Sequence, residues 1–223
     1  MKYAILLLTT LLLIRTSFGD VVVANNLVTD TVGFYSDAYD SNGAYVYAQS
    51  GAQAFSLEQD YNLTTVSWWG SSNNFFNQGL NNITGFQVVL WNTDFTSQYL
   101  NTTINMTDIT LVATGNTTFY NEAEYKFTTS FVHSVVAGNY FLNIGAILND
   151  AAGDQFVWSQ GQDVNSFWFT DPLPPLAWGS WSQLPAFIGS TAGGAFEITA
   201  PAPGAIALLL SAGFLGSRRR KEF

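Results

Sequence analysis

Glu122-Ala123-Glu124-Tyr125-Lys126-Phe127 alternates charged and apolar residues without a break. A period of two belongs to a β-strand, whose successive side chains point to opposite faces. Ala123, Tyr125 and Phe127 are therefore expected to face a core, and Glu122, Glu124 and Lys126 to face water. The same character continues outward along the chain. Segments rich in Val, Thr, Phe, Tyr and Trp recur between clusters of Asn, Gly, Asp and Ser, and no amphipathic stretch of helical period is sustained. Strands are expected at 44–48, 63–69, 86–92, 109–114, 123–127, 140–148, 155–159 and 196–199. Ser71-Ser72-Asn73-Asn74, the run from Asn149 to Asp154, and Asp171-Pro172-Leu173-Pro174-Pro175 carry turn chemistry. Eight or more short strands in about 180 residues predict an all-β body, a two-sheet, jelly-roll-like β-sandwich.

Composition bounds what such a body can do. The chain holds 16 acidic residues against 7 Lys and Arg, a formal charge of -9, and six of those seven cations sit at its two ends. Lys126 alone lies between Asp20 and Ala200, which makes nucleic acid and anionic lipid poor partners, because binding phosphates needs Lys and Arg to displace counterions. With 18 Phe, 10 Tyr and 7 Trp there is ample material for one core. There is no cysteine, so thiol nucleophiles, zinc ribbons, haem attachment and iron–sulfur clusters are excluded.

Both termini read as addresses. Lys2 precedes the apolar stretch Ala4 to Ile14, and Ser17-Phe18-Gly19 supplies small residues for a signal peptidase, so residues 1–19 are expected to be a signal peptide. Residues 20–200 form the β-sandwich domain. Residues 201–223 run from Pro201-Ala202-Pro203 through the apolar segment Gly204 to Gly216 into Arg218-Arg219-Arg220-Lys221. At about 1.5 Å per residue that segment is short for a bilayer core as a helix. The basic cluster still favours a membrane segment with its positive end inside.

This ending resembles the PEP-CTERM sorting signal of exported bacterial proteins, in which a proline motif, an apolar helix and an arginine cluster follow in that order. The resemblance implies recognition by an exosortase-like membrane enzyme and delivery to the cell surface or its exopolysaccharide. It assigns the sorting role to Pro201, Ala202, Pro203, Arg218, Arg219, Arg220 and Lys221. Ala202 stands where the family's usual Glu would be, which leaves cleavage by a variant enzyme and retention as an anchor both open. The body also resembles β-sandwich proteins that carry such tails, through Val66-Ser67-Trp68-Trp69-Gly70, Ala137-Gly138-Asn139-Tyr140-Phe141-Leu142-Asn143-Ile144, Phe156-Val157-Trp158-Ser159 and Ala195-Phe196-Glu197-Ile198. That likeness implies a location and a fold but no reaction.

Catalytic constellations are scarce, and the chain is not expected to be an enzyme. His133 is the lone histidine, has no Gly-x-Ser-x-Gly elbow nearby, and reads as an exposed or half-buried residue at a strand end. Glu58 with Asp60, or Glu122 with Glu124, could furnish a glycoside hydrolase pair if held across a bond, each pair at i, i+2 on one strand face. A solvated polar face is the plainer reading of both.

No cofactor is expected; calcium is a better guess than any transition metal for an acidic, thiol-free body, through Asp37-Ala38-Tyr39-Asp40-Ser41-Asn42-Gly43, which fails the EF-hand pattern, or through Asp150 and Asp154. Ordinary Asx-turns are the preferred account of both. Trp68 and Trp69, adjacent on a strand, must point to opposite faces. Trp178-Gly179-Ser180-Trp181 could offer flat apolar platforms to a sugar, making Trp178 and Trp181 the candidate carbohydrate-binding residues, against a loop pinned down by buried indoles. Asn-x-Thr sequons at Asn62, Asn82, Asn101, Asn105 and Asn116 read as incidental in an Asn- and Thr-rich chain with a bacterial-type tail. The expectation is an exported surface or matrix protein with a structural or adhesive body. The alternatives are a carbohydrate-binding module and, behind it, a hydrolase.

Overall fold

A computed structural model of the protein describes residues 19–28, 33–40, 50–118, 121–150, 153–162, 167–170, 182–183 and 193–201. Among them run the strands β1 (Asp20–Asn25), β2 (Phe34–Tyr35), β3 (Asp37–Asp40), β4 (Ser50–Leu57), β5 (Tyr61–Ser72), β6 (Ile83–Trp91), β7 (Gln98–Asn105), β8 (Thr110–Thr117), β9 (Ala123–Val135), β10 (Gly138–Leu148), β11 (Phe156–Trp158), β12 (Phe167–Thr170), β13 (Ser182–Gln183) and β14 (Phe196–Ala200). The described residues contain no α-helix, and no helix among them is long and apolar enough to cross a membrane. The two flanking segments, save Gly19 and Pro201, and the expected strand at 44–48 lie outside the described residues.

Among the described residues the strands form two seven-stranded sheets, each built on one long strand that serves two partners along a single edge. In the first, Trp68 of β5 pairs with Phe196 of β14 and with Phe127 of β9, while Gly70 pairs with Trp158 of β11 and Tyr125 of β9. β14 and β11 therefore share the edge of β5 opposite β9. In the second, Phe141 of β10 pairs with Ala54 of β4 and Trp91 of β6, while Ala146 pairs with Asp37 of β3 and Phe86 of β6. There β4 and β3 share the edge opposite β6, and β3 runs parallel to β10.

Alternation within these strands fills one core between the sheets. Val66, Trp68, Phe127, Phe156, Trp158, Phe196 and Ile198 meet Phe55, Phe86, Val88, Leu90, Leu142, Ile144 and Leu148. Phe86 sits at its centre, with ring centroids 5.0 Å from Trp68, 5.2 Å from Phe127 and 4.9 Å from Phe156. Edge-to-face pairs of this kind add to the energy of area burial. Gly70 and Gly194 are small for a packing reason: a Cβ would strike the Phe156 ring at the first and the Trp158 indole at the second.

The chain passes from one sheet to the other at Ser36. β2 pairs with β11 of the first sheet, and β3, one residue later, with β10 of the second. Ser36 secures the corner: its N–H donates to Phe156 O (3.1 Å), its carbonyl accepts from Ala146 N (2.8 Å), and its hydroxyl donates to Ile144 O and accepts from Gly51 N (3.1 Å). Asp37 follows with a fully buried carboxyl. Its Oδ1 accepts from Phe156 N at 2.9 Å, while Oδ2 has no hydrogen-bond partner. Burial pushes this carboxyl well above its ordinary value, and the Phe156 bond opposes the shift only in part.

The quoted alternation from Glu122 to Phe127 holds in its period but not in its environments. Phe127 is buried and Tyr125 packs against the core, while Ala123 is exposed and Glu124 is only 5% exposed. Glu124 does face away from the core. The far end of β8 covers it, however, bringing Thr114 and Asn116 onto the carboxylate from a backbone turned at Gly115 (φ 86°). A position pointing away from a core is wet only where nothing lies over the sheet.

Candidate functional site

Three places among the described residues gather side chains that a site could use. On the outer face of the first sheet, Lys126 donates to Glu197 Oε2 at 2.7 Å, with its ammonium 4.6 Å from the centroid of the Trp69 ring. Trp69 thus occupies the face opposite Trp68, as adjacent strand positions must. Beside it Glu124 accepts from Ser159 Oγ (2.6 Å), Thr114 Oγ1 (3.0 Å) and Asn116 Nδ2 (3.2 Å). Both carboxylate oxygens are thereby engaged by the framework. Glu122 accepts from Asn74 Nδ2 at 2.8 Å.

A second group lies at the end of the fold where β5 gives way to the loop 73–82. Asp154 is buried, and its Oδ1 accepts from Phe76 N (2.7 Å) while Oδ2 accepts from Gln78 N (2.6 Å) and Gly79 N (2.7 Å). Gln78 Oε1 returns a bond by accepting from Asp154 N, and Asn82 Nδ2 donates to the carbonyls of Asp150 and Asp154. Asn73 joins the two segments again, through its side chain to Gln155 N and its own N–H to Gln155 O. Asn74 and Asn77 adopt positive φ (50° and 59°), which asparagine tolerates better than most residues. This bracing presents Phe75 and Phe76 at the tip, 61% and 60% exposed.

Asp154→Ala leaves three backbone donors without their acceptor, so a loss of about 2–3 kcal/mol is expected. The associated readout is hydrogen exchange, which should accelerate at the amides of Phe76, Gln78 and Gly79 while the amides of β5 and β10 stay protected. Unchanged protection at those three amides would contradict the bracing.

The third place is a shallow groove of about 410 Å³ lined by Ala54, Phe55, Ser56, Thr93, Asn139, Tyr140 and Phe141. Phe95 stacks on Phe141 beside it (centroids 4.3 Å apart), and Ser56 Oγ donates to Asn139 Oδ1 at 2.6 Å. Next to Thr93, Asp94 accepts from the hydroxyl and the N–H of Thr96, which hold its carboxyl below the ordinary value.

Several residues singled out from the sequence find different settings. Glu58 and Asp60 stand in the turn between β4 and β5, not on a shared strand face, and Asp60 accepts from Ala137 N at 2.8 Å. Asp37–Asp40 is a strand and not an acidic turn, because its backbone pairs with β10. Both oxygens of Asp154 take backbone N–H donors, which leaves that carboxylate poorly placed for calcium. Among the described residues no group of three or more acidic or histidine side chains is gathered to hold a metal. His133 is half-buried near the end of β9, opposite Leu63 of β5. Trp178 and Trp181 lie outside the described residues, as do Ala202, Pro203, Arg218, Arg219, Arg220 and Lys221. The tip is not announced by Ser71-Ser72-Asn73-Asn74, which carries only the chemistry of a break. Two adjacent phenylalanines after an Asn pair were the available signal.

Compared with family models, curated proteins and solved structures, the chain matches none.

Proposed function

We propose that the protein is an exported cell-surface or extracellular-matrix component, sorted and anchored through its PEP-CTERM-like C-terminal signal. Its jelly-roll-like β-sandwich body serves a structural or adhesive role. The observation that most favours this reading is the placement of the two ends of the body. Asp20 pairs with Ala200 across β1 and β14, so the segment before residue 20 and the segment after residue 200 leave from the same end of the first sheet. A body built this way can be held from one end with its opposite end presented outward. Of the four carboxylates considered for a hydrolase pair, three accept framework hydrogen bonds: Glu122 from Asn74, Glu124 from Ser159, Thr114 and Asn116, and Asp60 from Ala137 N.

The test is mass spectrometry of the protein recovered from its native host. A mature N-terminus near Asp20 and a C-terminus near Pro203, in the envelope or matrix fraction, are the expected results for a sorted substrate. An N-terminus near Asp20 with the basic cluster retained in the membrane fraction marks the anchored form. An unprocessed chain recovered from the cytoplasm would end the proposal.

A further inference from the structure

We infer that the Phe75–Phe76 tip is a binding surface for an uncharged polysaccharide, and that it makes the adhesive contact of the proposed function, on which this inference rests. The position comes from strand direction. β5 runs from Tyr61 to Ser72 and feeds the tip, while antiparallel β14 pairs Phe196 with Trp68 and Thr199 with Thr65, so Ala200 lies toward the Tyr61 end. Thr199 pairs with Thr65, which sets Ala200 beside Thr64, and the strand from Thr64 to Ser72 at roughly 3.4 Å per residue carries the tip about 27 Å beyond the chain's two exits. A body tethered at Ala200 therefore holds these rings away from the membrane that anchors it and toward whatever lies outside.

The chemistry at the tip selects the ligand. Two adjacent aromatic rings more than half exposed would normally be avoided, since a large apolar group gains by burial. Here the fold holds them out, through the Asp154 carboxylate on the loop amides and the Asn74 to Glu122 bond. Such bracing reduces the ordering entropy that a flexible loop would lose on binding. Asn77 and Asn81, exposed in the same loop, can donate and accept hydrogen bonds. Among the described residues the only lysine or arginine is Lys126, which is engaged with Glu197. Glu122 and Asp150 add negative charge near the tip. Apolar ring faces with neutral amides suit the C–H face and hydroxyls of an uncharged sugar chain. They do not suit a polyanion, which would meet carboxylates and no cation.

The experiment uses the full chain, purified in detergent, in affinity electrophoresis through gels containing neutral polysaccharides (dextran, β-glucan, hydroxyethyl cellulose) or the anionic alginate. Retardation by at least one neutral polymer and none by alginate is expected. The double substitution Phe75→Ala, Phe76→Ala should weaken that retardation about tenfold or more. Phe75→Tyr, Phe76→Tyr, which keeps both ring faces, should retain it and guards against a folding defect in the alanine variant. Retardation that survives loss of both rings, retardation by alginate alone, or none by any neutral polymer overturns the inference. So does ring-dependent binding to phosphatidylcholine vesicles without polysaccharide binding. None of these outcomes bears on processing of the termini, so sorting stands or falls separately.

Discussion

Asp37→Asn is expected to stabilise the protein at neutral pH, by an amount that grows with pH. The carboxyl is wholly buried at the crossing between sheets, and its folded-state value is raised above the unfolded one, near 3.8, chiefly by desolvation. Well below the unfolded value both states hold the proton, and the contribution of Asp37 to stability is whole. As pH rises from there through the folded value, the unfolded chain releases its proton while the folded chain keeps it. That contribution is lost at about 1.4 kcal/mol per pH unit over the window. Asparagine keeps the acceptor for Phe156 N and has no proton to release. Urea unfolding at pH 4, 5, 6 and 7 should show the two proteins within about 1 kcal/mol at the acid end and diverging above it. A gap independent of pH would mean that Asp37 ionises as easily in the fold as outside it.

Phe86→Ala should cost about 3–5 kcal/mol, a large part of the 5–15 kcal/mol typical of a whole domain. The residue is fully buried on β6 of the second sheet, yet two of its ring partners, Trp68 and Phe127, belong to neighbouring strands of the first, and Phe156 to a third. Removing the ring opens a cavity where four aromatic groups meet, and none of the other three can collapse into it without leaving its own contacts. Phe86→Leu fills part of the space and should lose about half as much. The measurement is the urea midpoint at constant slope, and a Phe86→Ala midpoint equal to wild type would mean the sheets do not meet there.

The all-β character could be read from periodicity because β5, β6, β10 and β14 carry branched and aromatic residues at alternate positions, and their expected spans overlap the observed ones. β4 was not legible in Ser50-Gly51-Ala52-Gln53-Ala54-Phe55-Ser56-Leu57, where small residues dominate and propensity is weak. That strand forms because its inward Phe55 and Leu57 meet the core and its backbone pairs with β10. β7, half of whose residues are Asn or Thr, is held by its ladder to β6. The burial of Glu124 was hidden for a related reason. Its partners Thr114, Asn116 and Ser159 are remote or unremarkable in sequence, and only the strand pairing brings them together. The same holds for the tip, since Asp154 and Phe76 are 78 residues apart.

Among the described residues β1 has one ladder, to β14, and the bond from Asn25 Nδ2 to Gly194 O spans 169 residues. The opening strand of the body must therefore wait for the closing one. During ribosomal synthesis, or while threading through a pore, the first sheet remains an incomplete template whose final seam can be sewn only when the trailing strand emerges. If the chain is exported as proposed, a seam that closes only on arrival of the last strand leaves the opening segment free to extend through a channel.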